Sequence, residues 1–200
     1  MRVRGSRFPH NRFFPVLLLV VLLGSGGTLQ ATQVRPLTLE QLSQRAATIF
    51  SGRCTGVRVE SDPNVGWVTL ATFEVERAVK GRVGRTATLR LLGGRSDLEP
   101  RAAEVPGMPR FRRGDEVVLF LYGTSAIGLT SPVGLGQGKF DVVRDKRGRK
   151  IAVNAFGNER LLECLPPAAR GRIDAEAASA HRGGGIDVRA LLDAAALLGK

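Results

Sequence analysis

The sequence predicts a mainly β domain: a small antiparallel barrel of about five to six strands, with a short N-terminal helix and a C-terminal helix. Three observations lead there. Apolar and polar residues alternate over short runs, the period of a half-buried strand. Clusters of Gly, Pro, Asn and Asp separate those runs at close intervals, as turns do in barrels and sandwiches. Helical periodicity is confined to two stretches, one after the leader and one at the C-terminus.

The leader comes first. "MRVRGSRFPHNRFFPVLLLVVLLGSGGTLQA" sets Arg2, Arg4, Arg7 and Arg12 ahead of an 11-residue apolar run and a small residue, Ala31. That order is the order of an export signal. The run is well short of the roughly 20 residues of a membrane span. A signal peptide is expected over 1–31, with a periplasmic or secreted destination; a short uncleaved anchor is the alternative. The leader holds four of the +12 formal charges, leaving +8 on the 169 residues after it. A basic protein suits anionic partners, although an arginine-rich genome composition gives the same excess.

"PLTLEQLSQRAATIF" opens the domain. Thr38 with Gln41 spells a capping box, and Leu37 with Leu42 a hydrophobic staple, so a helix is expected over 39–47. "TIFSGRCTGVRVE" reads as a strand that Gly52 and Gly56 allow to bend. "SDPNVG" is a turn. In "WVTLATFEVERAVKG", Trp67, Ala71, Phe73 and Val75 share one face, while Val68 and Leu70 suggest burial on both sides at its start. "TATLRLLGG" points Ala87, Leu89 and Leu91 inward. Residues 95–114 hold three prolines and scattered charges, the pattern of a long loop. "DEVVLFLYG" is apolar on both faces, as a central strand is. "KFDVVRDKRGRKIAVNA" is a hairpin, with Phe140 and Val142 on one arm and Ile151 and Val153 on the other. The barrel domain spans 32–156. A weakly patterned linker follows over 157–185, and a C-terminal helix over 186–200. Asp187 caps that helix, and Leu191, Leu192, Ala195 and Leu198 form a narrow stripe for docking.

"GLTSPVGLGQGKF" raises the question of a phosphate cradle. A P-loop anchored on Gly138-Lys139 needs Gly at 133 and a hydroxyl at 140, where Val133 and Phe140 stand. A phenyl ring cannot coordinate magnesium. A strand follows rather than a helix whose N-terminus could face a phosphate. The glycines are therefore expected to serve close backbone approach between strands, with Lys139 a solvated edge charge.

Other chemistries find little support. His181 is the one histidine after the leader, and no GxSxG, HExxH, CxxC or EF-hand spacing occurs. No catalytic residue, cofactor or metal is expected. In an oxidising compartment Cys54 and Cys164 could pair, closing a loop of about 110 residues; two buried free thiols are the alternative. Basic residues gather in the long loop (Arg110, Arg112, Arg113), at the hairpin tip (Arg144, Lys146, Arg147, Arg149, Lys150) and at the turn of Arg77, Lys80, Arg82 and Arg85. If these turns meet at one end of the barrel they form an anion-binding rim. Nucleic acid is not expected, because export argues against it and Phe73 lies on the core face rather than on a stacking surface.

"ATFEVERAVKG" followed by "MPRFRRGDEVVLFLY" resembles the netrin modules and the tissue inhibitors of metalloproteinases. Phe73, Val75, Lys80, Gly81, Phe111, Gly114 and the strand from Val117 to Tyr122 carry the resemblance, which covers residues 46–122. It implies an OB-type barrel of five strands. It does not carry over the inhibitor mechanism, because no cysteine stands near Thr32 at the expected mature start. Met108-Pro109-Arg110 also occupies the region of a second expected cysteine. The chain is also similar to exported bacterial proteins carrying "VPGMPRF" and "GLTSPVGLGQGKF", a resemblance that implies no activity. The expected function is a non-enzymatic exported binding module that engages a protein or an anionic envelope surface (lipid or polysaccharide). A structural envelope component and an enzyme of unrecognised type are the alternatives.

Overall fold

In the computed structural model, residues 35–177 and 185–200 are described; the expected signal peptide and His181 lie outside them. Helix α1 (Leu39–Arg45) begins as the sequence predicts. The Thr38 side chain accepts from the Gln41 N–H, and the Gln41 side chain accepts from the Thr38 N–H, completing the capping box. Ala46 then turns extended and starts the sheet. Strands β1 (Thr48–Asp62) and β2 (Gly66–Lys80) form a long antiparallel hairpin. Its turn is closed by Asp62, whose carboxylate accepts from the N–H groups of Asn64 and Val65. Gly52 brings β2 close: a Cβ there would lie 2.4 Å from the Glu74 carbonyl oxygen. Register shifts at three points along β1 bend the pair.

Strand β3 (Thr86–Leu92) continues the meander, and β4 (Glu116–Leu121) pairs with the other edge of β1. A 3-10 turn (Leu135–Gln137) leads into β5 (Lys139–Arg144), and β6 (Lys150–Asn154) returns as its hairpin partner. Helix α2 (Pro167–Ala177), the two-residue strand β7 (Ile186–Asp187) and helix α3 (Val188–Leu198) complete the chain. The ladder order is β3-β2-β1-β4-β5-β6-β7, antiparallel throughout. The mainly β architecture with helices at both ends is thus the one expected, with one strand more.

The sheet serves a core on each face. Phe50, Ala71, Phe73, Leu89, Leu91, Val117, Leu119 and Leu121 enclose one. Ile49, Val118, Phe120, Phe140 and Ala152 form the floor of the other, roofed by residues of all three helices. Successive residues of β4 alternate between the two, which explains why its sequence is apolar throughout. The edges β3 and β7 do not pair with each other, so the barrel is not closed by a ladder. The loop after β4 is fastened along the β3 edge instead. Thr130 N–H donates to the Arg90 carbonyl, and the Arg90 guanidinium donates to the Ile127 carbonyl.

Several expectations need correction. The linker at 157–185 is, over its described part, packed structure: Leu161, Leu165, Ala169 and Ile173 are buried in the helix-side core. Pro167 starts α2, where its missing N–H costs nothing. On β6 the inward residues are Ala152 and Asn154, opposite Val142 and Phe140, rather than Ile151 and Val153. The close-packed helix side has room for the smaller pair. Asn154 is held there by Asn158 and the Gln137 carbonyl. Helix α3 buries Val188, Ala190 and Ala194 besides Leu191, Leu192 and Ala195, a broader face than the predicted stripe. The cysteines are unpaired. Cys54 is buried in the barrel-side core, its thiol donating to the Gly56 carbonyl, while Cys164 is exposed beside residues anchored on the opposite face.

Candidate functional site: a basic end and its cleft

The long loop 95–114 is pinned at both ends. Phe111 is fully buried, its ring edge-on to Phe73 with centroids 5.2 Å apart. Arg95, 7% exposed, pairs with Asp97 and donates to the Phe111 carbonyl. Lys139 lies over the Phe111 ring at 5.5 Å, its ammonium 2.6 Å from Asp141. It is therefore not the solvated edge charge expected; its stem shields the aromatic plug. After Phe111 the chain turns at once. Gly114 takes φ +96° and donates to the Cys54 carbonyl, and Asp115 accepts from the Arg112 N–H. This leaves Arg112 and Arg113 exposed.

The β5–β6 hairpin tip is equally fixed. Asp145 accepts from the N–H groups of Arg147 and Arg149 and pairs with the Arg149 guanidinium at 2.8 Å. Burial pushes its carboxyl up, but these donors outweigh burial and hold it below its ordinary pKa. Lys146 and Arg147 point outward from the tip. Because β4 and β5 are antiparallel neighbours, with Val117 opposite Asp141, the turn before β4 and the tip after β5 lie at the same end of the sheet. Two of the three predicted basic clusters thus meet.

Between them and α3 lies a network of ion pairs. Glu116 pairs with Arg53, with Lys150 at 2.9 Å and with Arg144 at 3.7 Å. The Lys150 hydrogen bond, ahead of the neighbouring arginine charges, lowers the Glu116 pKa. Lys150 is opposed by its own burial, yet the two carboxylates Glu76 and Glu116 raise its pKa. The Lys150–Glu76 contact joins β6 to β2. Those strands are separated by β1, β4 and β5, about 19 Å in a flat sheet. The sheet therefore folds toward its helix side, and the fold makes a cleft of about 620 Å³.

The cleft has three walls. Ser51, Glu76 and Arg77 come from β1 and β2, Arg144 and Lys150 from the β5–β6 hairpin, and Asp187 and Arg189 from the start of α3. Val188 and Leu192 add an apolar strip. Asp187 caps α3 by accepting from the N–H groups of Arg189 and Ala190, as its sequence position predicts.

The predicted basic residues therefore divide. Arg112, Arg113, Lys146 and Arg147 stand free at one end. Arg144, Arg149 and Lys150 line the cleft and are paired. Arg110 turns away and pairs with Glu104, whose pKa the Ser96 hydroxyl and then Arg110 hold down at about 2. Of the third cluster, Arg77 reaches the cleft and pairs with Asp193, whereas Lys80 donates to the Ser43 carbonyl at the end of α1. Sequence reasoning missed Ser51 and Arg189. Neither stands in a motif, and only the fold of the sheet brings them together. Among the described residues no helix is long and apolar enough to cross a membrane, and no group of three or more acidic, His or Cys side chains could hold a metal ion. No family model, no curated protein and no solved structure matches this chain.

Proposed function

We propose that the chain is an exported binding module that docks on an anionic envelope surface through its basic end. One observation carries this reading: Arg112, Arg113, Lys146 and Arg147 are exposed and, among the described residues, make no ion pair. They sit on two rigid turns facing the same way. Unpaired cations keep their full attraction for anions, whereas paired ones must first lose a partner. Fixed turns also lower the entropy lost on contact. The netrin-type resemblance of residues 46–122 fits a module that works through its loops and turns.

The test is sedimentation with phosphatidylcholine vesicles containing or lacking phosphatidylglycerol. The expected result is retention on the anionic vesicles that falls steeply between 50 and 300 mM salt, roughly the range over which surface charges become screened. Exchanging Arg112, Arg113, Lys146 and Arg147 for Ser should abolish it, while Arg82→Ser with Arg85→Ser should leave it. Equal retention of the two variants would overturn the reading.

A further inference from the structure

We propose that the cleft between the β5–β6 hairpin and the start of α3 is a discrete site for a phosphomonoester group on a small ligand or lipid headgroup. Its volume of about 620 Å³ is that of a small-molecule site. Five cations line it, Arg77, Arg144, Arg149, Lys150 and Arg189, against two acids, Glu76 and Asp187. Three of the five are committed: Arg77 to Asp193, Arg149 to Asp145, and Lys150 to Glu76 and Glu116. The other two are held less tightly. Arg189 has no ion pair among the described residues, and Arg144 reaches Glu116 only at 3.7 Å while donating to the Gly148 carbonyl at 3.2 Å.

Ser51 supplies the second observation. It is 4% exposed and lines the cleft, and its hydroxyl has no hydrogen-bond partner among the described residues. The hydroxyl opens on the cleft and, with no protein partner of its own, is free to donate to a bound anion. Arg144 on the hairpin wall, Arg189 on the α3 wall and the Ser51 hydroxyl on the β1 wall line one cleft. That arrangement suits the three terminal oxygens of a tetrahedral phosphate better than a planar carboxylate, which one fork satisfies. The charge also fits, since a phosphomonoester carries about −1.5 to −2 at neutral pH. Glu76 and Asp187 can accept from hydroxyls on the ligand body, and Val188 with Leu192 can cover its apolar side. This site goes beyond the docking surface, because its lining excludes the four unpaired turn cations.

The experiment titrates the full chain with glycerol 3-phosphate, sulfate or citrate, following binding by calorimetry. In parallel, vesicles bearing phosphatidic acid are compared with vesicles bearing phosphatidylglycerol. Saturable binding of glycerol 3-phosphate, tighter than that of sulfate or citrate, is expected. Arg189→Glu should weaken it at least about tenfold, and Ser51→Ala should weaken it severalfold. The acid at 189 suits the first turn of a helix, so that variant keeps its fold; melting temperatures check both. Lys146→Ser with Arg147→Ser should bind as the parent does. If the soluble ester fails but phosphatidic acid vesicles are preferred and Arg189→Glu removes the preference, the site stands with lipid as the source. Binding insensitive to both cleft variants, no preference for the phosphomonoester over sulfate, or no binding in either arm overturns the proposal.

Discussion

At Gly138 a Cβ would meet only backbone: Val133 O at 2.6 Å, Val133 N at 2.7 Å and Phe120 O at 2.8 Å. Phe120 cannot yield without disturbing β4, and Val133 is tied to it by its N–H donating to the Phe120 carbonyl at 2.8 Å. Gly138→Ala should therefore destabilise the protein by about 3 kcal/mol in urea unfolding, the upper part of the range for overpacking. Gly56→Ala is the control, since no atom lies within 4 Å of its Cβ position. The glycines of "GLTSPVGLGQGKF" were thus readable as a matter of close approach, but not which one matters most, because that depends on a strand 18 residues earlier. Glu116 gives a second test. Its pKa is lowered in the folded chain by Lys150, Arg53 and Arg144, so its contribution to stability is present above its unfolded pKa. That contribution is lost as pH falls through the lower folded value. Melting temperature should hold from neutral to about pH 5 and then fall below the ordinary carboxylate range near 4.3. Glu116→Gln should melt lower at pH 7 and lose part of the acid-side slope; an unchanged slope would show that other carboxylates supply it.

At the scale of elements, what could be read in the sequence was what local chemistry decides. The Thr38–Gln41 box, the Asp187 cap and the both-faces burial of β4 were visible because each is set by residues within one turn or one strand. The inward face of β6 was not, because Ile151 and Val153 look like core and yield to Ala152 and Asn154 only when helices press on that side. Nor was the role of loop 95–114, whose lack of pattern hides a plug. Phe111→Ala should cost about 3–5 kcal/mol. It should also raise amide exchange across 95–114 more than across α3, since the ring and the Arg95 bond to its carbonyl fasten that loop. Equal exchange in both segments would mean that the loop is held by its turns alone.

For the whole molecule, the consequence is a single sheet with a core on each side, so the two faces report different things. Cys54 is 1% exposed in the barrel-side core, and burial raises its pKa above the ordinary thiol value. The lower thiolate fraction and the lack of access both suppress its reactivity. Cys164 is exposed on the segment that covers the other face. A thiol reagent at pH 8 should therefore label one cysteine per folded chain within minutes, and mass mapping should place the label on Cys164. Cys54 should follow only as the barrel opens, at a rate that rises with urea and tracks global unfolding. In Phe111→Ala, which loosens the mouth of that core, Cys54 should react faster while Cys164 keeps its rate. Both thiols reacting together in the parent would mean that the loop fastened to β3 through Thr130 and Arg90 opens freely, and that the barrel-side core is not the closed unit its packing describes.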